Sequence, residues 1–253
     1  MASSKWSLHK FYSKDARFRP YLPDTALFNR KSFTKFTNRY KVVYVKPDLR
    51  HGGTGIIQAR KTDAGYSFIR IKGKPTYAST ADELYTRVRR LTTDPKYIVQ
   101  QGVPLATIRG RTFDIRSMMM RKPGGVWQFY GFLAKVSGKG SVVNNVLRSG
   151  GYILPFEQAL RQSFGYNSGQ IADMKKRLIR LSHQISKRFN LYKATTTDIG
   201  IDFGLDRHGK PWIIEVNFDL PWISLNKFKD LPDRSSYFRM RKMKLLIQAM
   251  RKK

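Results

Sequence analysis

The sequence predicts an α+β fold in which blocks of antiparallel strand alternate with blocks of helix. Three observations carry this. Two pairs of β-rich runs are joined by the short turns Lys122-Pro123-Gly124-Gly125 and Asp206-Arg207-His208-Gly209, the mark of β-hairpins. Ile171, Met174, Leu178, Leu181 and Ile185 recur at helical spacing within Gln170–Phe189. Hairpins and helices also come in blocks, and they lack the regular strand–helix alternation of a parallel sheet.

In chain order, Lys41–Lys46 reads as a strand that runs into the turn-rich loop Pro47–Gly55. Strands at Gly55–Arg60 and Tyr66–Ile71 continue an antiparallel sheet. Thr80-Ala81-Asp82-Glu83 is a capping box, because the Thr hydroxyl and the Glu carboxylate can each satisfy an orphan amide of the first turn. The helix it opens runs to about Leu91. Tyr97–Gln101 is a short apolar strand stopped by Gly102. Phe113–Arg121 and Val126–Val136 flank the first hairpin turn, and Pro155–Phe164 and Gln170–Phe189 are helical. Ile199–Leu205 and Trp212–Val216 make the second hairpin. Ser235–Met250 reads as a basic amphipathic helix. Its stripe of Met240, Met243, Leu246, Ile247 and Met250 is expected to dock on the body with the Lys/Arg face in solvent. Association with a membrane surface is the other reading of that helix.

The chain has 253 residues, of which 41% are hydrophobic, enough to build a core. No cysteine is present, which excludes disulfides, thiolate metal sites and a cysteine nucleophile. No run approaches the roughly 18 apolar residues of a membrane span, and Met1–Lys10 lacks the apolar stretch of a signal peptide. The extreme feature is charge: 49 Lys and Arg against 17 Asp and Glu, a net +32. Such a surface attracts polyanions without choosing among nucleic acid, anionic lipid and phosphate-bearing ligands. No helix-turn-helix, zinc-finger or RNP signature is present to favour nucleic acid.

Four stretches could carry chemistry. In the second hairpin, Asp202 and Glu215 can occupy facing strands, and Glu215 and Asn217, two apart, share a face. Two carboxylates and an amide oxygen suit Mg²⁺, unless these are ordinary carboxylates flanking a hairpin. Next, Lys46 leads into a loop containing Gly52, Gly53, Thr54 and Gly55, whose backbone N–H groups could cradle phosphate or form a plain turn. Neither the P-loop nor the G-x-G-x-x-G pattern occurs. Asp114 and Arg116 share a strand face, an arrangement that often serves only cross-strand salt bridges. Finally, Asn144–Gly151, which includes Asn145 and Arg148 and follows Lys135 and Lys139, could bind phosphate oxygens or be a solvated loop.

In this order, these features resemble the ATP-grasp superfamily, and within it the YheC/YheD family of spore-forming bacteria, with RimK-like ligases more distant. The resemblance runs from about Lys5 to Pro232. It rests on Lys5-Trp6 leading to Arg19–Thr25, Tyr44–Pro47, Val99–Leu105, Phe113–Arg116, Asn145–Gly151 and Ile214–Asn217. It implies an ATP-grasp fold, with two α+β subdomains gripping ATP between antiparallel sheets. Within a domain of 1–232, residues about 30–100 would form the smaller nucleotide lid and about 101–232 the metal-binding part, followed by a basic helix at 233–253. The domain that usually precedes the grasp would be missing.

By the same resemblance, Lys5 and Lys46 contact ATP phosphates, Gly52–Gly55 close over them, and the backbone of Gln100–Val103 holds adenine. Similar enzymes usually have Glu where Gln101 stands. Asp202, Glu215 and Asn217 would bind Mg²⁺ or Mn²⁺, and Arg116 and Arg148 would steady the γ-phosphate or an acyl phosphate. Lys135 stands where Arg is common, a point charge in place of a fork. The implied activity is ATP-dependent carboxylate–amine ligation through an acyl phosphate, on an unknown donor and acceptor, acidic or polymeric in character. The alternative is a non-catalytic, nucleotide-binding spore-coat or polyanion-binding component. The expected location is cytoplasmic, with spore association.

Overall fold

The structure is a computed structural model that describes residues 4–50, 52–142, 146–220 and 223–251. The chain forms two compact units, Met1–Leu105 with Ser137–Gly151, and Ala106–Val136 with Tyr152–Lys253.

The first unit opens with α1 (Lys5–Ser13), β1 (Thr25–Leu27) and α2 (Arg30–Arg39), which strand and helix periodicity did not announce. Ser4 caps α1 by accepting the Ser7 amide, and Asn29 and Ser32 form a capping box for α2. β2 (Val42–Pro47), β3 (Ile57–Thr62), β4 (Gly65–Arg70), β5 (Thr76–Ala78), α3 (Ala81–Arg90) and β6 (Tyr97–Gln101) follow. Their sheet is antiparallel throughout, in the order β1-β6-β2-β3-β4-β5. β2 alternates strictly: Val43 and Val45 enter a core with Phe33, Phe36, Leu84 and Val88 of α2 and α3. Tyr44 and Lys46 are therefore on the opposite face.

The segment 137–151, which contains α4 (Val146–Ser149), is tied to this unit by the Val142 amide, which donates to the Ile71 carbonyl at 2.9 Å. Gly138 accepts no other residue, because a Cβ would come within 1.7 Å of the Ser149 carbonyl oxygen.

The second unit comprises β7 (Thr107–Ile108), β8 (Arg111–Met120), β9 (Gln128–Val136), β10 (Tyr152–Leu154), α5 (Phe156–Phe164), α6 (Ser168–Phe189), β11 (Asp198–Leu205), β12 (Pro211–Phe218), α7 (Ile223–Asn226), a 3-10 turn (Lys227–Asp230) and α8 (Ser235–Arg251). The strand order is β10-β9-β8-β11-β12, all antiparallel, with β7 paired to β8. α6 starts at Ser168, two residues earlier than its apolar spacing suggests, because Asn167 and Gln170 form a capping box around its first turn. Its predicted face is buried. α5 and α6 pack on one side of the sheet, through Phe132 against Phe156, Phe113 against Phe164 and a Ser117–Ser182 hydroxyl contact of 2.9 Å. On the other side Met118, Met120, Tyr130 and Leu133 pack with Leu225, Phe228, Met240 and Ile247. The same side also carries Asp114, Arg116, Lys135 and Asp202.

The stripe expected on α8 is narrower than its spacing implied. Met240 and Ile247 are buried and Met243 half-buried, but Leu246 and Met250 are exposed to 40% and 43%. Leu246 stands about 100° round the helix from Ile247, off the contact line, and Met250 lies in the last turn of the helix. Met240→Ala is therefore expected to lower unfolding free energy by about 2–5 kcal/mol. Leu246→Ala should change it by no more than about 0.5 kcal/mol, read by urea denaturation. Equal losses would mean the whole stripe is docked.

Candidate functional site

In the first unit, α1 is fastened to the end of β2 by one carboxylate. Asp48 is buried; it accepts the Ser4 hydroxyl at 2.8 and 3.0 Å and the Trp6 amide at 2.8 Å, and its own carbonyl accepts the Lys5 amide. Lys5 is thereby held over the loop, with its ammonium donating to the Arg50 carbonyl. Lys46 donates to the Gln100 amide oxygen at 2.6 Å, and the Gln100 nitrogen donates to Thr25 at 3.0 Å. Gln100 thus orients Lys46 by side chain. Gln101 has its backbone N–H taken by the Asp24 carbonyl, and its side-chain oxygen accepts the Asp24 amide at 3.1 Å. Val103 follows β6 and its carbonyl accepts the Leu105 amide. In the loop, Gly52, Gly53 and Gly55 have φ of 68°, 81° and 71°, the left-handed region that only glycine enters cheaply, with Thr54 between them.

The second unit brings six polar side chains to one face of its sheet. β9 supplies Lys135, β8 Asp114 and Arg116, β11 Asp202, and β12 Glu215 and Asn217. Strand register makes neighbours of Lys135 and Asp114, of Arg116 and Asp202, and of Asp202 and Glu215. Arg116 grips Asp202 with a fork, Nε to Oδ1 at 2.6 Å and Nη2 to Oδ2 at 2.9 Å. Lys135 lies 2.9 Å from both Asp202 Oδ1 and Asp114 Oδ1. Asp114 and Arg116 each bridge across to a neighbouring strand. Asn217 Nδ2 is 3.4 Å from Asp202 Oδ2. Gly200 makes the fork fit, since a Cβ there would come within 2.8 Å of Arg116 Nη1. Asn145 lies outside the described residues, as does the side chain of Arg148.

Burial sets the protonation of the two aspartates apart. Desolvation raises Asp114, and because the Lys135 charge only partly offsets this, its carboxyl stands at about 6. Desolvation pushes Asp202 the same way, but Arg116 and Lys135 together outweigh it and hold that carboxyl well below the usual range. Lys135 loses by burial and gains more from the two aspartates, so it stays charged.

Among the described residues no group of three or more His, Cys, Asp or Glu side chains stands ready for a metal. The oxygen set here is two carboxylates and an amide, which fits Mg²⁺ because that ion keeps several waters and needs few protein ligands. Sequence reasoning did not single out Asp48 or Lys227. A Pro-Asp pair after a strand and a Lys-Phe-Lys-Asp run carry no signal of their own.

The two antiparallel sheets and the helices around them define the ATP-grasp class. The chain matches the model of the YheC/D-like ATP-grasp family over residues 2–245, and it belongs to that family. It is 28% identical over 222 residues to the endospore coat-associated protein YheD of Bacillus subtilis (strain 168), which covers 85% of this chain and 47% of that relative. The chain thus spans about half the length of the curated relative it matches. Among the described residues no helix is long and apolar enough to cross a membrane.

Two outcomes follow from the charges. A group whose folded pKa is raised stabilises most below its unfolded value, and that contribution fades as pH rises through the folded value. For Asp114 the window is pH 3.8 to about 6. Unfolding free energy of the wild type should carry a falling component over that window, and Asp114→Asn should remove it; an unchanged slope in denaturant titrations would sink the assignment. Arg116→Met, which leaves Asp202 short of its main partner, should cost about 3–5 kcal/mol.

Proposed function

We propose that this chain is an ATP- and Mg²⁺-dependent ligase that joins a carboxylate to an amine, or to another nucleophile, through an acyl phosphate. The observation that carries the reading is the row Asp202, Glu215 and Asn217 beside Arg116 and Lys135 on one sheet face. Membership of an ATP-grasp family supports the nucleotide. In this reading Lys5, Lys46 and the amides of Gly52, Gly53, Thr54 and Gly55 hold phosphate oxygens, and Gln100, Gln101 and Val103 border adenine. Asn145 and Arg148 add phosphate contacts. Asp202, Glu215 and Asn217 hold Mg²⁺, or Mn²⁺ in its place.

A divalent cation held by Asp202, Glu215 and Asn217 would supply positive charge to offset the negative charge of the reacting phosphate. Lys46, steadied by Gln100, keeps a fixed ammonium at the phosphates, so little reorganisation is needed during transfer. A donor carboxylate oxygen bonds to the γ-phosphorus while the bond from that phosphorus to the bridging oxygen breaks and ADP leaves. The amine nitrogen then bonds to the acyl carbon, the carbon–oxygen bond to phosphate breaks, and the amine proton passes to water. The first step needs no side-chain base, because a carboxylate is already an anion at neutral pH. Arg116 spends Nε and Nη2 on Asp202 and packs Nη1 against Gly200, so it acts on the transferring phosphoryl through its charge.

One observation favours a second reading, a non-catalytic nucleotide-binding component of a basic coat. Both Asp202 oxygens are already matched by Arg116 and Lys135, so the cluster is self-consistent as it stands. The name of the Bacillus subtilis relative, coat-associated, points the same way and supports spore association. The basic surface suits acidic or polymeric substrates and nonspecific polyanions under either reading.

ATP with Mg²⁺ should raise the melting temperature, since a ligand of the native state alone must stabilise it. Folded Glu215→Ala should lose the Mg²⁺-dependent part of that rise; a full wild-type rise would remove the metal assignment. Phosphate release on adding amino acids, short peptides or acidic polymers separates ligase from coat component.

A further inference from the structure

Lys227 opens the 3-10 turn Lys227–Asp230 in the second unit. The next residue, Phe228, is fully buried among Met118, Tyr130, Leu225, Leu231 and Met240, so the turn is pinned to the polar sheet face's apolar margin. The Lys227 stem is half-buried there. Burial first, then the charges of Lys135 and Arg116, push its ammonium down to about 8; Asp202 and Asp114 act in the opposite sense and do not restore it. The lysine is therefore within electrostatic reach of Lys135, Arg116, Asp202 and Asp114.

Its situation differs from that of its neighbours. Arg116 is committed to Asp202, and Lys135 to Asp202 and Asp114. Among the described residues Lys227 makes no hydrogen bond or ion pair. A cation drawn partly out of water, repelled by two others and offset only at a distance by carboxylates already paired elsewhere, is unfavourable until an anion arrives. Such desolvated, mismatched charges cluster where ligands bind.

We propose that Lys227 is the anion-binding residue of a subsite on this sheet face that takes an oxyanion, carboxylate or phosphate, of the non-nucleotide substrate. The inference deepens the ligase reading and rests on it, since a carboxylate donor needs a cation to hold it beside Arg116. Lys227 is available for that contact, and Lys135 and Arg116 add the surrounding field.

The test titrates succinate and, separately, inorganic phosphate into the full chain by calorimetry, with and without saturating Mg·ADP. Wild type, Lys227→Met and Lys227→Arg are compared. Met keeps the buried stem, and Arg keeps the charge. At least one anion should bind wild type, lose about tenfold or more in affinity in Lys227→Met, and be retained in Lys227→Arg, as expected for one charge-assisted contact. Preference for succinate identifies a carboxylate subsite, and preference for phosphate identifies a phosphate one. The melting-temperature rise with Mg·ATP should be the same in all three proteins. Undiminished anion binding by Lys227→Met, or no binding by wild type, overturns the inference. Loss of the Mg·ATP rise in Lys227→Met also overturns it, by making Lys227 a nucleotide ligand. Lys227-dependent anion binding in a chain that ignores Mg·ATP would uphold the subsite and sink the ligase reading.

Discussion

The second unit is organised around one buried carboxylate. Asp202 is almost out of solvent, and an ionised carboxylate in that position is tolerated only if its charge and lone pairs are matched. Arg116 from β8 and Lys135 from β9 provide the match. Both reach Asp202 only if β9, β8 and β11 keep their register, because a slip of one residue would turn every one of these side chains to the α5 and α6 side. The ion cluster and the strand register therefore specify each other. Gly200 shows how tightly: on the same face two residues earlier, it must lack a Cβ for the Arg116 guanidinium to lie where it does.

In the first unit the candidate lysines are held by backbone and single hydrogen bonds. Asp48 receives the N-terminal turn of α1, and that places Lys5 next to a loop made of three left-handed glycines. Gln100 holds Lys46 from the neighbouring strand, and Thr25 holds Gln100 from the strand beyond. Each lysine thus donates to a neutral oxygen, Lys5 to the Arg50 carbonyl and Lys46 to the Gln100 amide.

How much of this could be read from residues alone depends on the length scale of the signal. The second hairpin was legible because turn chemistry and strand period are local, but regular counting back from its turn pairs Asp202 with Ile214; the β-bulge between Asp202 and Phe203, which has no local signal, is what sets Asp202 opposite Glu215. α3 was legible from Thr80 and Glu83, but α2 was not, because its capping box pairs Asn29 with a serine and carries no acid. Residues 5–39 have little periodicity, so their helices appear only with their tertiary partners. Cross-strand contacts between distant segments were out of reach: nothing local links Lys135 to Asp202, 67 residues on, or Asp48 to Ser4, 44 residues back. The family resemblance supplied roles for residues whose spacing supplied none. Lys227 had neither source, since its character comes from where Phe228 anchors its turn.

The charge of the chain bears on the same point. Five acids, Asp48, Asp114, Asp198, Asp202 and Asp206, are buried out of 17, whereas among the described residues only Arg121 and Lys135 are buried from 49 cations. The interior therefore removes a far larger share of the negative charge than of the positive. The solvent-facing surface is more basic than a net +32 suggests. Those interior acids are not interchangeable with surface ones: Asp48 ends a helix, Asp198 accepts the Leu220 amide at 2.6 Å, Asp206 closes a hairpin turn and accepts the Trp212 indole, and Asp114 and Asp202 hold cations. An acid-poor sequence has placed a large fraction of its acids where folding or the site demands one. The remaining surface is left with unbalanced cations that repel one another and draw anions close. For any anionic ligand, that field raises the encounter rate and weakens with salt, and it does so without any surface residue having to touch the ligand.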